Sequence, residues 1–141
     1  MIRVVLDTSV LVSAVVSSTG PNAKLFDLIA AGKIRPCLTD DVLAEYYRVF
    51  DYERLQHLDR RRVARLRGLL EAIGLKFKSR GRVKISDHED DNRVYECAVA
   101  AQADYIVTEN TKHFKRPYKI TKITTARNLL KVLEGERGEV G

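Results

Sequence analysis

The apolar run Ile2-Arg3-Val4-Val5-Leu6 stops on an acid, Asp7, and that junction constrains the fold more than any other feature of the chain. A short, near-continuous β-branched run suits a strand covered on both faces, as in a parallel sheet sandwiched between helices. Open α/β sheets bind ligands outside the carboxyl ends of their strands. A carboxylate directly after a buried strand therefore stands where such folds put their chemistry. A second acidic knot, Asp87-His88-Glu89-Asp90-Asp91, opens a later helical stretch.

The rest of the chain alternates short apolar runs with helical patterns. The spacing predicts a helix over 11–16, a polar interruption over 17–22, and a second helix over 23–31 stopped by Gly32. Ile34–Leu38 reads as a strand, with Pro36 favouring an edge over a sheet centre. Thr39-Asp40 offers N-cap chemistry to a helix over 41–50, where Val42, Tyr46 and Val49 share a face. Asp59 caps another, with Val63, Leu66, Leu69, Leu70 and Ile73 as its apolar stripe and Gly74 as its end. Residues 75–85 alternate apolar with basic, which predicts a strand or hairpin whose basic face carries Lys76, Lys78, Arg80, Arg82 and Lys84. A helix over 91–102, a strand over 105–108, a weaker strand over 119–123 and a last helix over 125–133 follow.

At 141 residues, 45% of them hydrophobic, the chain has the size of one domain, with 1–133 as the folded unit and 134–141 as a frayed tail. The formal charge of +6 favours a polyanionic partner, nucleic acid foremost. Cys37 and Cys97 lie in apolar sequence without CxxC spacing or an adjacent histidine. They predict core residues in a reducing cytoplasm rather than a zinc knuckle or a disulfide scaffold. No apolar stretch approaches the roughly 18 residues of a membrane span, so no membrane is expected and the protein is placed in the cytoplasm.

The βαβ rhythm gathers Asp7, the Thr39-Asp40 turn and the Thr108-Glu109-Asn110 turn at one sheet edge. Glu45 lies early on the helix leaving the second turn, and Asp91 at the start of the helix feeding the third. Close like charges raise one another's pKa or bind a cation. An oxygen-only set prefers Mg²⁺ or Mn²⁺ to zinc. Neither HExxH, a P-loop nor GxGxxG is present to suggest another chemistry, and Ser9 stands where an aspartyl-phosphatase DxD pattern would need an acid.

The segments Val4-Val5-Leu6-Asp7-Thr8-Ser9-Val10-Leu11-Val12-Ser13-Ala14, Leu43-Ala44-Glu45-Tyr46 and Asp91-Asn92-Arg93-Val94-Tyr95-Glu96-Cys97-Ala98, continuing to Thr108, resemble the PIN domain. Within that family they are most similar to the toxins of bacterial and archaeal toxin–antitoxin pairs. The resemblance implies a three-layer α/β/α sandwich with a mostly parallel sheet and Mg²⁺- or Mn²⁺-dependent endoribonuclease activity on RNA. It implies Asp7, Glu45 and Asp91 as the catalytic metal-site acids, with Ser9 beside the first. Many PIN domains carry a fourth acid two residues after the threonine that ends the strand. Here that position is Asn110, and Thr108 and Glu109 are expected to line the site with Ser9. An amide oxygen ligates Mg²⁺ without adding charge, which weakens a second metal more than the first. The branch further implies a protein antitoxin and, from related domains, a homodimer. A catalytically weak RNA-binding module of the same family is the alternative that Asn110 raises.

Phosphodiester hydrolysis agrees with such a set, since two metals about 3.5–4 Å apart activate water and neutralise charge on the phosphate and the leaving oxygen. Several neighbours carry plainer readings. Asp87 and Asp90 suit a helix start. Glu96 lies about 140° around the helix from Asp91, which predicts a structural ion pair. His88 reads as an exposed loop residue, and Tyr46 and Tyr47 as packing. The basic row at 76–84 is the expected RNA contact, with the arginines of 60–67 next.

Overall fold

The computed structural model describes the backbone of residues 1–140 and the side chains of residues 1–135. Among the described residues, five strands form one sheet: β1 (Ile2–Leu6), β2 (Ile34–Leu38), β3 (Leu75–Lys76), β4 (Tyr105–Val107) and β5 (Lys122–Thr124). Six helices connect and flank them: α1 (Thr8–Val16), α2 (Pro21–Ala30), α3 (Asp40–Phe50), α4 (Arg60–Ile73), α5 (Glu89–Ala101) and α6 (Ala126–Val140). The strand order is β3-β2-β1-β4-β5 and every pairing is parallel. The chain winds outward from β1 through β2 and β3, then returns to the other side of β1. With right-handed crossovers, that reversal puts helices on both faces and makes the β1–β4 junction the switch point of the sheet.

The central strand behaves as its composition demands: Val4, Val5 and Leu6 are each at most 1% exposed. Val42, Tyr46 and Val49 of α3 and Val63, Leu66 and Leu70 of α4 join the same core, as does Cys37 beside Cys97, both free thiols. Burial pushes the Cys37 thiol up to about 11 and the Cys97 thiol up to about 12. Pro36 pairs with Val4 inside the sheet, yet β3 covers only Cys37 and Leu38, so the proline falls where the outer edge of β2 is open.

Several boundaries differ from the sequence reading, each for a local reason. Helix α1 begins at Thr8, directly after the strand, because Asp7 already takes the extended conformation of an N-cap residue. Pro21 opens α2 at its first position, where a missing N–H costs nothing. Helix α5 begins at Glu89 and ends on Gln102 in the left-handed region (φ 49), with the Ala103 N–H folding back to the Ala98 C=O at 3.0 Å. Strand β5 starts later than expected, because Lys119 turns the chain at φ 55. Helix α6 has bounds Ala126–Val140, and Gly141, the end of the expected tail, lies outside the described residues.

The largest departure is the expected strand or hairpin at 75–85. Only Leu75 and Lys76 pair as strand. Ser79 and Gly81 then close a turn in which Gly81 sits at φ 137, a conformation that favours glycine. Beyond it the backbone donors go to side chains: Val83 N–H to Glu96 Oε2 at 2.9 Å, Ile85 N–H to Asn92 Oδ1 at 2.9 Å, and Ser86 N–H to the same oxygen at 2.8 Å. The basic residues therefore do not form a straight row. Arg82 is held by Asp41 at 3.1 Å and by buried Glu96 at 3.2 Å. Glu96 also takes Arg93 at 3.0 Å, the structural ion pair its place on the helix suggests.

Gly74 closes α4 against the sheet. A Cβ built there meets the Leu70 carbonyl oxygen and lies 2.6 Å from Leu38 Cδ1 of β2. Gly74→Ala should therefore destabilise the fold by about 1–3 kcal/mol through overpacking. The measurement is a urea midpoint, which should fall at constant m; an unchanged midpoint would show that the α4–β2 junction yields without cost.

Candidate active site

Strand register positions the site. Leu6 of β1 pairs with Val107 of β4, so Asp7 and Thr108 leave the sheet side by side. The Asp7 N–H extends the ladder to the Val107 C=O at 2.9 Å. Although Asp7 occupies the N-cap position of α1, its side chain makes no capping hydrogen bond. Its Oδ2 instead accepts from Ser9 Oγ at 2.7 Å and from Thr108 Oγ1 at 2.8 Å. Both hydroxyls are themselves fixed. Ser9 Oγ accepts the Glu109 N–H at 3.0 Å, and Thr108 Oγ1 accepts the Asn110 N–H at 2.9 Å.

Asp91 reaches the same place from α5. It is 7% exposed, and Ser86 Oγ donates to its Oδ2 at 3.2 Å. Burial raises its pKa, and the charge of Asp7 raises it further; the Ser86 bond, His113 and His88 pull it back. The loop bearing Ser86 is organised by Asn92, which is fully buried: its Oδ1 holds the two N–H groups at 85 and 86, and its Nδ2 donates to the Ser86 C=O at 2.8 Å.

Glu45 enters from α3. The neighbouring Tyr46 hydroxyl donates to the Leu6 C=O at 2.5 Å, which ties α3 to the end of β1 immediately before Asp7. Burial holds the Tyr46 phenol well above its ordinary pKa, so the donor stays protonated. The Glu45 carboxylate is paired with Arg48, whose guanidinium also stands 3.9 Å from Asp90.

Asp7, Ser9, Glu45, Asp91 and Asn110 all line one cavity of about 510 Å³, with Arg54, His88 and His113 at its walls. Thr108 lies beneath it, fully buried, acting through Asp7. Glu109 does not line it: its carboxylate accepts from Asn22 Nδ2 at 3.0 Å on α2. Among the described residues, no three of the His, Cys, Asp and Glu side chains stand in metal-holding geometry. The two aspartates approach each other while Glu45 turns to Arg48. The donor chemistry nevertheless fits a hard divalent cation. The hydrogen-bond donors on Asp7 and Asp91 are hydroxyls, neither carboxylate makes an ion pair among the described residues, and oxygen-only ligation suits Mg²⁺ or Mn²⁺.

Four contributors escaped the sequence reading. Tyr46 reads as packing in the sequence, because its hydrogen bond to Leu6 has no local signature. Asn92 and Ser86 act through a loop whose path the alternation at 75–85 disguised. His113 sits in a polar connection and stacks on His88 with ring centroids 5.6 Å apart. His88 itself is exposed, as its loop position suggests.

A family model described as the PIN domain matches residues 3–112. The fold is similar to a chain in the crystal structure of VapBC2 from Rickettsia felis bound to a DNA fragment from their promoter, with a TM-score of 0.57 and 20% identity over 86% of this chain and 98% of that one. It is also similar to a chain in DNA-bound VapBC from Salmonella typhimurium, with a TM-score of 0.57 and 16% identity over 87% of this chain and 98% of that one. Identities this low show a shared fold and nothing more. No curated protein matches the chain.

The raised pKa of Asp91 has a sign that thermal unfolding can read. The folded chain holds this proton more tightly than the unfolded one. The contribution of Asp91 to metal-free stability is thus fully present below the ordinary value of 3.8 and is lost as pH rises through the raised folded value. Asp91→Asn should remove that decline and make the metal-free protein more stable than wild type at pH 7, while losing any stabilisation by Mn²⁺. Lower metal-free stability in the variant would contradict the uncompensated pair.

Proposed function

The chain belongs to the PIN domain family, and on that premise we propose that it is a Mg²⁺- or Mn²⁺-dependent endoribonuclease whose centre is the Asp7–Asp91 pair. The observation that carries this reading is the pair itself: two carboxylates lining one cavity open to solvent at the switch point of the sheet, where burial first and the charge of Asp7 second raise the Asp91 pKa. A cation bound there supplies neutralisation of charge on the phosphate and activation of the attacking water. Asp7 and Asp91 would hold it, Glu45 would join them on release from Arg48, and Asn110 would add a neutral oxygen. Ser9 and Thr108 orient Asp7 through Oδ2, which would leave Oδ1 for the cation. The formal charge of +6 favours RNA as the polyanion.

The likeness to two VapBC structures supports a further step, that this chain is the toxin of a pair with a protein antitoxin. No described helix is long and apolar enough to cross a membrane, and the cytoplasm, where RNA and an antitoxin meet, is the compartment that suits the reading. The weak-nuclease alternative draws on Asn110 and on the pairing of Glu45 with Arg48, both of which lower the negative charge available to a metal.

The test is cleavage of single-stranded RNA by purified protein at limiting Mn²⁺. Asp7→Asn should lower kcat by at least about 100-fold, the scale expected when a metal that stabilises charge in the transition state is lost, with folding intact by circular dichroism. Wild-type turnover in the variant would remove Asp7 from the centre. Metal-independent binding of RNA without cleavage by the wild type would favour the binding-module alternative.

A further inference from the structure

We propose that the cleft beside the carboxylate cavity is a phosphate subsite for the RNA strand, an inference that rests on the nuclease reading above. The cleft, of about 410 Å³, is lined by Lys112, Lys115 and Arg116 from the loop after β4 and by His88 and His113, with Asp87 as its carboxylate. Its charge is opposite to that of its neighbour. Three cations face one acid here, whereas Asp7, Glu45, Asp90 and Asp91 face Arg54 and Arg93 next door. The stacked imidazoles of His88 and His113 line both cavities, so the two share a wall.

The loop that presents these cations is anchored. Phe114 is 2% exposed and packs with its ring centroid 5.5 Å from that of Tyr95. The Tyr95 hydroxyl donates to the Arg116 C=O at 2.8 Å, and the His113 N–H reaches back to the Asn110 C=O at 2.9 Å. A pre-positioned backbone lowers the ordering cost of binding. Among the described residues, Lys112, Lys115 and Arg116 make no ion pair. Three arginines elsewhere are committed to the fold: Arg82 to Asp41 and Glu96, Arg60 to the Phe50 C=O, and Arg62 to the Ala14 C=O. A strand whose scissile phosphate lies among acids needs its adjacent phosphate neutralised outside that acidic field, because phosphate contacts dominate affinity and set the register of the strand. The cleft supplies that neutralisation next to the cavity, which the 76–84 segment does not line.

The test compares wild-type protein with the combined variant Lys112→Gln, Lys115→Gln, Arg116→Gln, using a short single-stranded RNA titrated in EDTA over a series of KCl concentrations. The variant should bind about tenfold more weakly at low salt, and its slope of log affinity against log salt should fall by about 0.7 for each phosphate no longer held. With Mn²⁺ present, KM should rise while kcat stays within about twofold, as expected for lost uniform binding. The charge-preserving pair Lys112→Arg, Lys115→Arg should keep the wild-type slope, which a merely structural role would not require. Equal affinity and slope in wild type and the glutamine variant, with wild type still cutting RNA, would overturn the subsite. A wild type that neither binds nor cuts RNA would instead overturn the nuclease reading beneath it.

Discussion

The site depends on one electrostatic tension: two aspartates, Asp7 and Asp91, approach in a partly buried cavity with only hydroxyls to satisfy them. In water such a pair would separate. Here the parallel register of β1 and β4 fixes Asp7, and the packing of α5 on the sheet fixes Asp91, so the core enforces what the charges oppose. The energy needed to hold them comes from the apolar contacts of Val4, Val5, Leu6, Ile106 and Val107. A divalent cation would relieve the repulsion, and the proposed function takes the pair as its binding site for that reason.

Around that pair the structure divides its labour between orientation and charge. Ser9 and Thr108 claim one oxygen of Asp7, Ser86 claims one of Asp91, and Asn92 holds the loop that carries Ser86. Tyr46 locks α3 to β1 at the residue before Asp7. Glu45, by contrast, already has a cationic partner in Arg48. The third carboxylate is thus neutralised in the metal-free chain, and the recruitment proposed for it would exchange one positive partner for another. That exchange makes Glu45 the most conditional member of the set.

Much of this was legible in the sequence, and the limits were physical. A β-branched run ending on an acid located β1 and Asp7, because burial on both faces leaves a continuous apolar signature. The acidic knot located the start of α5, since carboxylates favour the positive end of a helix. The alternation at 75–85 misled in an instructive way. Leu75, Phe77, Val83 and Ile85 do pack against the core, so the pattern reported burial correctly. It did not report strand pairing, because the N–H groups of that segment are satisfied by Glu96 and Asn92, partners separated by many residues. The spacing after Thr108 picked out Asn110, which lines the cavity, but nothing local showed that the Glu109 carboxylate is drawn away by Asn22.

The most direct measurement of the central claim is anomalous diffraction from crystals of the wild-type protein soaked in Mn²⁺. The account predicts a manganese peak bonded to carboxylate oxygens of both Asp7 and Asp91. Manganese bound only at other positions, with the two aspartates bridged by a protein cation or moved apart, would contradict it.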